Sequence, residues 1–161
     1  MTSSRSRVYL VRHAKAGSRD GWTEADELRP LSKKGRRQAE GLIHMLDGAP
    51  IGRIVSSPSV RCVQTVRPLA LARQLPLELS DDLAEGAPIE RAMALLEANG
   101  DTPAVFCSHG DVIPALVLGL AERGMAIEGE REWKKGSTWV LDRRDGRFVR
   151  GTYLGPPPEG A

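Results

Sequence analysis

Aromatic side chains and cysteines are both scarce in this sequence. Phe, Trp and Tyr together make up 4% of its 161 residues, so the core must be built from Leu, Val, Ile and Ala. Single-stranded nucleic acid is not expected as a partner, because no aromatic residues are interleaved with the basic ones. The two cysteines, Cys62 and Cys107, lie in no C-x-x-C or Cys/His pattern. This excludes a disulfide scaffold and predicts reduced, buried thiols in a cytoplasmic protein.

The signatures of common metal, cofactor and membrane sites are also missing. The sequence has no H-x-x-x-H or H-x-E spacing, no Walker A loop and no strand-linked G-x-G-x-x-G, so we predict neither a metal nor a cofactor. Its longest apolar stretch, residues 112–121, is too short to cross a bilayer, and residues 1–7 lack the apolar segment of a secretory signal. With a net charge of +2 and a basic run that opens a predicted helix, neither nucleic acid nor a membrane is expected as a partner.

Strand-like and helix-like segments alternate along most of the chain. Strands are predicted at residues 8–11, 53–56, 76–79 and 102–107, and helices at 32–46, 59–75, around 89–96 and from 112 onward. This alternation predicts a three-layer α/β/α fold with a mainly parallel central sheet covered on both faces. One domain is expected over residues 1–154, followed by a disordered, proline-rich tail at 155–161.

Local signals refine these elements. Ser32 and Asp111 are each placed to cap a helix that follows, and Pro68 is expected to kink or break the helix at 59–75. Near the end of the chain, strands at 137–141 and 147–154 flank an Asp-Gly pair, which predicts a hairpin.

Three polar clusters each follow directly on a predicted strand. Arg12 and His13 follow the first strand, Arg61 belongs to the cluster after the second, and His109 follows the fourth. Because the carboxyl ends of parallel strands meet at one edge of a sheet, these side chains should converge there. Two arginines match phosphate oxygens with paired hydrogen bonds, and a neutral histidine nitrogen can act as a nucleophile. The sequence therefore predicts phosphoryl chemistry at this edge.

Each of these residues also has a simpler interpretation. His109 alone is as readily a polar loop residue, and Arg12 and Arg61 alone would be surface charges. His44 lies on a helix without candidate partners and is taken as structural or exposed. The convergence of the clusters, rather than any one residue, supports a site.

The clusters resemble the successive signatures of the histidine phosphatase superfamily, whose fold is phosphoglycerate mutase-like. They read Arg12-His13-Ala14, Ser57-Pro58-x-x-Arg61 with Gln64-Thr65, and Ser108-His109-Gly110-Asp111, and the resemblance covers about residues 8–141. It implies that His13 is the nucleophile, that Arg12, Arg61 and His109 bind the transferring phosphoryl group, and that no metal is needed. It also implies that Glu85, in Leu83-Ala84-Glu85-Gly86, is the proton donor, although a solvent-facing carboxylate remains the alternative.

Two groups within the superfamily are similar to different parts of the chain. Residues 29–32 resemble the compact phosphohistidine phosphatases, which act on a partner protein. The motif around Glu85 and residues 135–141 resemble the C-terminal phosphatase domain of two-domain Nudix hydrolases, which act on nucleotides or other small phosphates. Lys15-Ala16 stands where the family usually has Glu-Ser, which argues against mutase activity.

We therefore predict a metal-independent phosphatase that acts on a small phosphate or nucleotide-type substrate through a phosphohistidine intermediate. A protein phosphohistidine phosphatase is the alternative, and a non-catalytic phosphate-sensing or partner-binding module is an alternative of another class. Lys134 and Lys135 would contact a polyphosphate or simply be exposed, and Trp22 and Trp133 would border the pocket or cover the core. The sequence does not fix the oligomeric state.

Overall fold

The computed structural model describes residues 4–158, which form a single sheet of seven strands with four α-helices packed against it. In chain order the strands and α-helices are β1 (Arg5–Arg12), α1 (Lys33–Met45), β2 (Arg53–Ser56), α2 (Val60–Arg73), β3 (Leu77–Leu79), α3 (Ile89–Ala98), β4 (Ala104–Ser108), α4 (Val112–Glu122), β5 (Ala126–Glu128), β6 (Thr138–Arg144) and β7 (Arg147–Leu154). Single-turn 3₁₀ helices lie at Asp26–Leu28 and Asp81–Leu83. The predicted α/β fold is confirmed.

The sheet is mainly parallel, with strand order β3-β2-β4-β1-β6-β7-β5. Strands β1 to β4 run parallel to one another, whereas β6 is antiparallel to both β1 and β7. In register, Arg12 at the end of β1 pairs with Ser108 at the end of β4, and Ser56 at the end of β2 pairs with Cys107. The three polar clusters of the sequence therefore leave the sheet at the same edge.

Helices cover both faces of the parallel half. On one face Val8 and Leu10 of β1 pack with α3 and α4, and on the other Tyr9 and Val11 pack with α1 and α2. A strand covered on both sides cannot alternate apolar and polar residues, which explains the continuous apolar run in β1.

The two predicted helix caps have different outcomes. The Ser32 side chain accepts a hydrogen bond from the Gly35 N–H at 3.1 Å, so α1 begins at Lys33 as expected. The prediction that Asp111 caps α4 is wrong: Asp111 precedes the helix, but its side chain makes no cap bond there. Its backbone is already helical, with φ −93° and ψ −38°, and its carboxylate instead accepts from the Gly86 N–H at 2.8 Å.

Pro68 does not break the second helix. Helix α2 runs from Val60 to Arg73 with Pro68 inside it. Proline lacks the N–H that would bond the preceding turn. The fully buried Val66 and Leu69 on either side hold the helix against the sheet.

The end of the chain holds the predicted hairpin and one strand that the sequence did not suggest. Asp145 at φ 50° and Gly146 at φ 80° form the tight turn between β6 and β7, as a type I′ turn requires. The unforeseen strand is β5, three residues long, paired with β7 at the sheet edge. Residues 155–158 have no regular secondary structure, although Pro157 is buried, and 159–161 lie outside the described residues. Disorder of the tail stays a prediction. Within residues 4–158 no helix combines the length and apolarity that a membrane span needs.

Candidate active site

A cleft of about 780 Å³ opens at the carboxyl edge of β1, β2 and β4. All five candidate residues of the sequence line it: Arg12, His13, Arg61, Glu85 and His109. Parallel pairing of β1, β2 and β4 brings together Arg12, His13, Arg61 and His109, and Glu85 joins them from the loop after the 3₁₀ helix at Asp81–Leu83.

His13 presents one unprotonated nitrogen. Its ring is 6% exposed, and Nδ1 lies 2.8 Å from the carbonyl oxygen of Ala14. A carbonyl can only accept, so Nδ1 carries the proton and Nε2 keeps its lone pair. Burial, followed by the charges of Arg61, His109 and Arg12, lowers the pKa of His13 to about 3, against the opposing effect of the Ala14 hydrogen bond. The imidazole is therefore neutral at physiological pH.

The Arg12 guanidinium lies against the backbone of Gly110, which has no side chain. Its Nη1 donates to the Trp133 carbonyl at 2.6 Å, and burial lowers its pKa. A Cβ on Gly110 would lie 2.6 Å from Arg12 Nη2, closer than side-chain carbons approach other atoms. Glycine at 110 therefore lets the guanidinium lie flat beside the loop that carries His109.

Arg61 is 1% exposed and is held by carboxylates on two sides. Its Nη2 donates to Asp26 at 3.1 Å and to Glu85 at 2.8 Å, while Nη1 donates to the Asp26 carbonyl at 2.9 Å. These contacts fix the guanidinium plane at the floor of the cleft.

His109 lies beside His13, with ring centroids 5.5 Å apart. Its Nε2 is 2.8 Å from the Ser57 hydroxyl and 3.5 Å from the Cys62 sulfur. The Ser57 oxygen also accepts from the Ser59 N–H at 3.4 Å, so its own proton is available to Nε2. That arrangement leaves the proton of a neutral ring on Nδ1, as a donor.

Thr65 links the segment after β1 to α2. Its hydroxyl accepts from the Ala14 N–H at 2.9 Å and donates to the Arg61 carbonyl at 2.7 Å. The residue after His13 and the backbone of Arg61 are thereby held by one side chain.

The Glu85 loop is tied to the end of β4 by two hydrogen bonds. Ser108 donates to the Leu83 carbonyl at 2.6 Å, and Asp111 accepts from Gly86, whose φ is 80°. The Glu85 carboxylate itself is 48% exposed and contacts Arg61 and, at 3.7 Å, Arg19. Glu85 thus faces the cleft rather than bulk solvent alone.

Sequence reasoning missed the charged residues of the loop between β1 and α1. Asp26 pairs with Arg29 at 3.2 Å and Arg19 at 3.5 Å as well as with Arg61. Burial raises the pKa of Asp26, but the hydrogen bond from Arg29 and the charge of Arg61 outweigh this and lower it overall. No motif marks these residues; the loop simply contains several acidic residues and two arginines, Arg19 and Arg29.

Three polar atoms of the site are buried without a hydrogen-bond partner among residues 4–158. They are Arg12 Nε, Arg61 Nε and His109 Nδ1. Buried donors are normally satisfied, and an unsatisfied one at a cleft points to a missing ligand. Three donors around one neutral histidine fit the oxygens of a phosphoryl group.

The residues present suit an anion better than a cation. In the described part of the chain no group of three or more His, Cys, Asp or Glu side chains is placed to hold a metal ion. Trp133 stacks on Trp139, with ring centroids 5.0 Å apart, and packs against the core. Trp22 donates to the Ala25 carbonyl in the loop, and neither tryptophan lines the cleft.

A second concavity, of about 890 Å³, lies at the opposite edge of the sheet. Two of its arginines are paired with carboxylates: Arg7 and Arg150 contact Asp142 at 2.8 and 2.9 Å, and Arg150 also lies 3.8 Å from Glu128. It contains no histidine, and its own buried polar atoms without a partner, Ser6 Oγ and Arg143 Nε, are not grouped around one. The convergent chemistry is therefore at the His13 cleft.

Fold and site together define an α/β domain whose cleft groups unpartnered buried donors around a buried, neutral histidine. Residues 8–88 match the Histidine phosphatase superfamily (branch 1), and the chain belongs to that family. The predicted resemblance is confirmed.

A relative in Mycolicibacterium smegmatis, the 8-oxo-(d)GTP phosphatase, is 37% identical over 157 residues. The match covers 94% of this chain but 49% of the relative, so the chain spans about half of that protein's length. The fold is also that of the protein histidine phosphatase SixA complexed with tungstate (TM-score 0.74, 22% identity, 94% of this chain and 96% of that one). A mycobacterial glucosyl-3-phosphoglycerate phosphatase shares it too (TM-score 0.70, 19% identity, 96% and 100% covered).

Proposed function

We propose that the protein is a metal-independent phosphatase that hydrolyses a small, nucleotide-type phosphate through a phosphohistidine formed on His13. The observation that supports this most directly is the state of His13. Its Nδ1 proton is committed to the Ala14 carbonyl, so Nε2 offers a lone pair toward a cleft that also contains Arg12, Arg61 and His109. A nucleotide-type substrate is supported by the name of the 37% identical relative.

In the first step the Nε2 lone pair of His13 attacks phosphorus, and the bond from phosphorus to the leaving oxygen breaks. Arg12, Arg61 and His109 Nδ1 donate to the three non-bridging oxygens, whose charge redistributes in the transition state. The leaving oxygen departs with its electron pair and takes a proton from Glu85 where its basicity requires one.

In the second step a water molecule attacks the phosphohistidine. Glu85 accepts the water proton, the N–P bond breaks, and its electron pair returns to Nε2. Inorganic phosphate leaves and His13 is neutral again, ready for another cycle. The lowered pKa of His13 keeps it in the nucleophilic form throughout.

Phosphate release in EDTA tests this proposal. The wild-type protein should release phosphate from an aryl phosphate, and His13→Ala should lower the rate by at least about a thousandfold, as loss of a nucleophile does in other covalent enzymes. His44→Ala is the matched control, since His44 lies on α1 away from the cleft. Rapid quenching should trap phosphate on His13 in an acid-labile, alkali-stable form. Release that survives in His13→Ala would overturn the mechanism.

Two other functions remain alternatives. Hydrolysis of a phosphohistidine protein is supported by the shared fold with SixA. A phosphate-sensing module without turnover would bind phosphate in the same cleft but show no release that depends on His13. We also propose a cytoplasmic location, which rests on the free, buried thiols of Cys62 and Cys107.

A further inference from the structure

The His13 cleft carries more positive charge than one phosphoryl group requires. Six of its lining side chains are cationic and two are acidic. The cationic ones are Arg12, Lys15, Arg19, Arg29, Arg61 and Lys135, and the acidic ones are Glu85 and Asp111. A phosphate monoester brings roughly two negative charges at neutral pH. It would leave part of this positive charge unopposed.

The carboxylates near the cleft neutralise only some of these cations. Arg19, Arg29 and Arg61 pair with Asp26, and two of them also contact Glu85. Over residues 4–158 no carboxylate forms an ion pair with Arg12, Lys15 or Lys135; the cleft ion pairs involve Arg19, Arg29 and Arg61. Arg12 is already assigned to bind the phosphoryl group that His13 attacks. Two lysines are therefore left facing the cleft without an anion.

The backbone holds both lysines in place, whereas their ammonium groups are unattached. The Lys15 carbonyl accepts from the Ser32 N–H and hydroxyl, each at 3.0 Å, and its N–H donates to Gln38 at 2.9 Å. Lys135 precedes Gly136, whose N–H bonds the carbonyls of Arg12 and His13 at 3.2 and 3.0 Å. Each lysine thus extends from a segment that is fixed directly beside the reacting histidine.

Lys135 is surrounded by the other cations of the His13 cleft. Burial lowers the pKa of Lys135, and Arg12 lowers it further, followed by the other cations of the cleft, Lys15 included. Such repulsion is relieved when an anion binds among the cations. A compact ammonium on a flexible stem is suited to follow a phosphate oxygen as a point charge.

We propose that Lys15 and Lys135 form a second phosphate subsite beside the phosphoryl site, and that the substrate is a diphosphate ester such as the phosphate end of a nucleoside diphosphate. This inference rests on the proposed function and narrows its substrate class. The terminal phosphorus is attacked by His13 Nε2, and its bond to the bridging oxygen breaks. The bridging oxygen keeps the electron pair and becomes a terminal oxygen of the leaving phosphate monoester, which the two lysines stabilise.

The contacts of Glu85 agree with this class of leaving group. One Glu85 oxygen accepts from Arg61 at 2.8 Å and the other lies 3.7 Å from Arg19, so both oxygens face guanidinium groups, which favour the ionised carboxylate. A phosphate monoester is a weakly basic leaving group and departs without a proton. Glu85 then serves only the second step, in which it accepts a proton from water.

The test compares one diphosphate with one monoester in the same protein. The wild-type ratio of kcat/KM for a nucleoside diphosphate over p-nitrophenyl phosphate should exceed ten. Lys15→Met and Lys135→Met each keep side-chain length but remove the charge. Each should lower that ratio about tenfold, the effect of losing one charge-assisted hydrogen bond, mainly through KM. Lys134→Met is the matched control, because this neighbour of Lys135 pairs with Glu132 at 3.6 Å and does not line the cleft.

A binding measurement gives the same answer without turnover. Nucleoside diphosphate should bind His13→Ala about tenfold more weakly when either lysine is also replaced by methionine, whereas Lys134→Met should have no effect. An unchanged ratio in both lysine variants, or an equal loss in Lys134→Met, would overturn the subsite. So would a phosphohistidine protein hydrolysed faster than the diphosphate with no dependence on the lysines. If p-nitrophenyl phosphate is cleaved and requires His13 in these cases, the His13 mechanism stands, and only the subsite and the substrate class built on it fail.

Discussion

Gly110→Ala should displace the Arg12 guanidinium although the substitution replaces no charged residue. An added Cβ would lie 2.6 Å from Arg12 Nη2 and 2.7 Å from Cζ, whereas ordinary contacts begin near 3.4 Å. The guanidinium must therefore move by about 0.8 Å, or the loop must. Arg12 cannot swing away freely, because Trp133 accepts from its Nη1 at 2.6 Å. Displacement of a preorganised group by about 1 Å costs roughly a hundredfold in rate, so kcat/KM should fall about a hundredfold.

The assay is phosphate release from an aryl phosphate, with the melting temperature of each variant measured in parallel. Gly52→Ala is the control, since its Cβ would meet Thr102 at an ordinary 3.5 Å far from the site. In an Arg12→Ala background, Gly110→Ala should cost less than about threefold, because the two changes act on the same contact. Full activity in Gly110→Ala, or additive losses in the double variant, would refute the proposal that glycine at 110 makes room for the Arg12 guanidinium.

Three further outcomes are expected. Ser57→Ala should lower kcat/KM about five- to tenfold, because His109 loses the hydrogen bond that fixes its tautomer. Ser57→Thr keeps the hydroxyl and should restore the rate, and an unchanged kcat/KM in Ser57→Ala would count against this role. Thr65→Val keeps side-chain shape but leaves the Ala14 N–H unsatisfied, so unfolding in urea should show a loss of about 1–3 kcal/mol, and a neutral effect would contradict it. His13 has a pKa of about 3 when folded against an ordinary 6.5, so the unfolded chain binds more protons between these values and stability falls as pH drops through that window. His13→Asn should flatten the fall in melting temperature over that range, and an unaltered slope would mean that His13 is not the group responsible.

The parallel half of the fold was predictable because its signals are local and strong. The apolar run of β1 and the Ser32 cap depend on neighbours in sequence, and both agree with the structure. Strand β5 was not predictable: Ala126–Glu128 has three residues, and it is a strand only because β7 pairs with it. The Asp111 cap failed for the same reason, since the Gly86 N–H comes from a distant loop.

The residues of the candidate site were likewise predictable where they follow a strand, and not where their position depends on contacts between distant segments. Arg12, His13, Arg61 and His109 follow strand ends, and parallel topology alone predicts that they converge in one cleft. Asp26 could not be found this way, because its partnership with Arg61 depends on how a polar loop folds back over α2. Nor did spacing along the chain indicate that glycine at 110 makes room for Arg12.

The placement of β1 in the sheet also bears on how the protein is made. Residue 8 pairs with residue 104 of β4 on one side and with residue 141 of β6 on the other. The strand that precedes His13 lacks both of its neighbours until β4 and β6, which come much later in the chain, have been translated. Pairings of such long sequence separation form late and slowly. We therefore expect the His13 cleft to assemble only once β4 and β6 have joined β1.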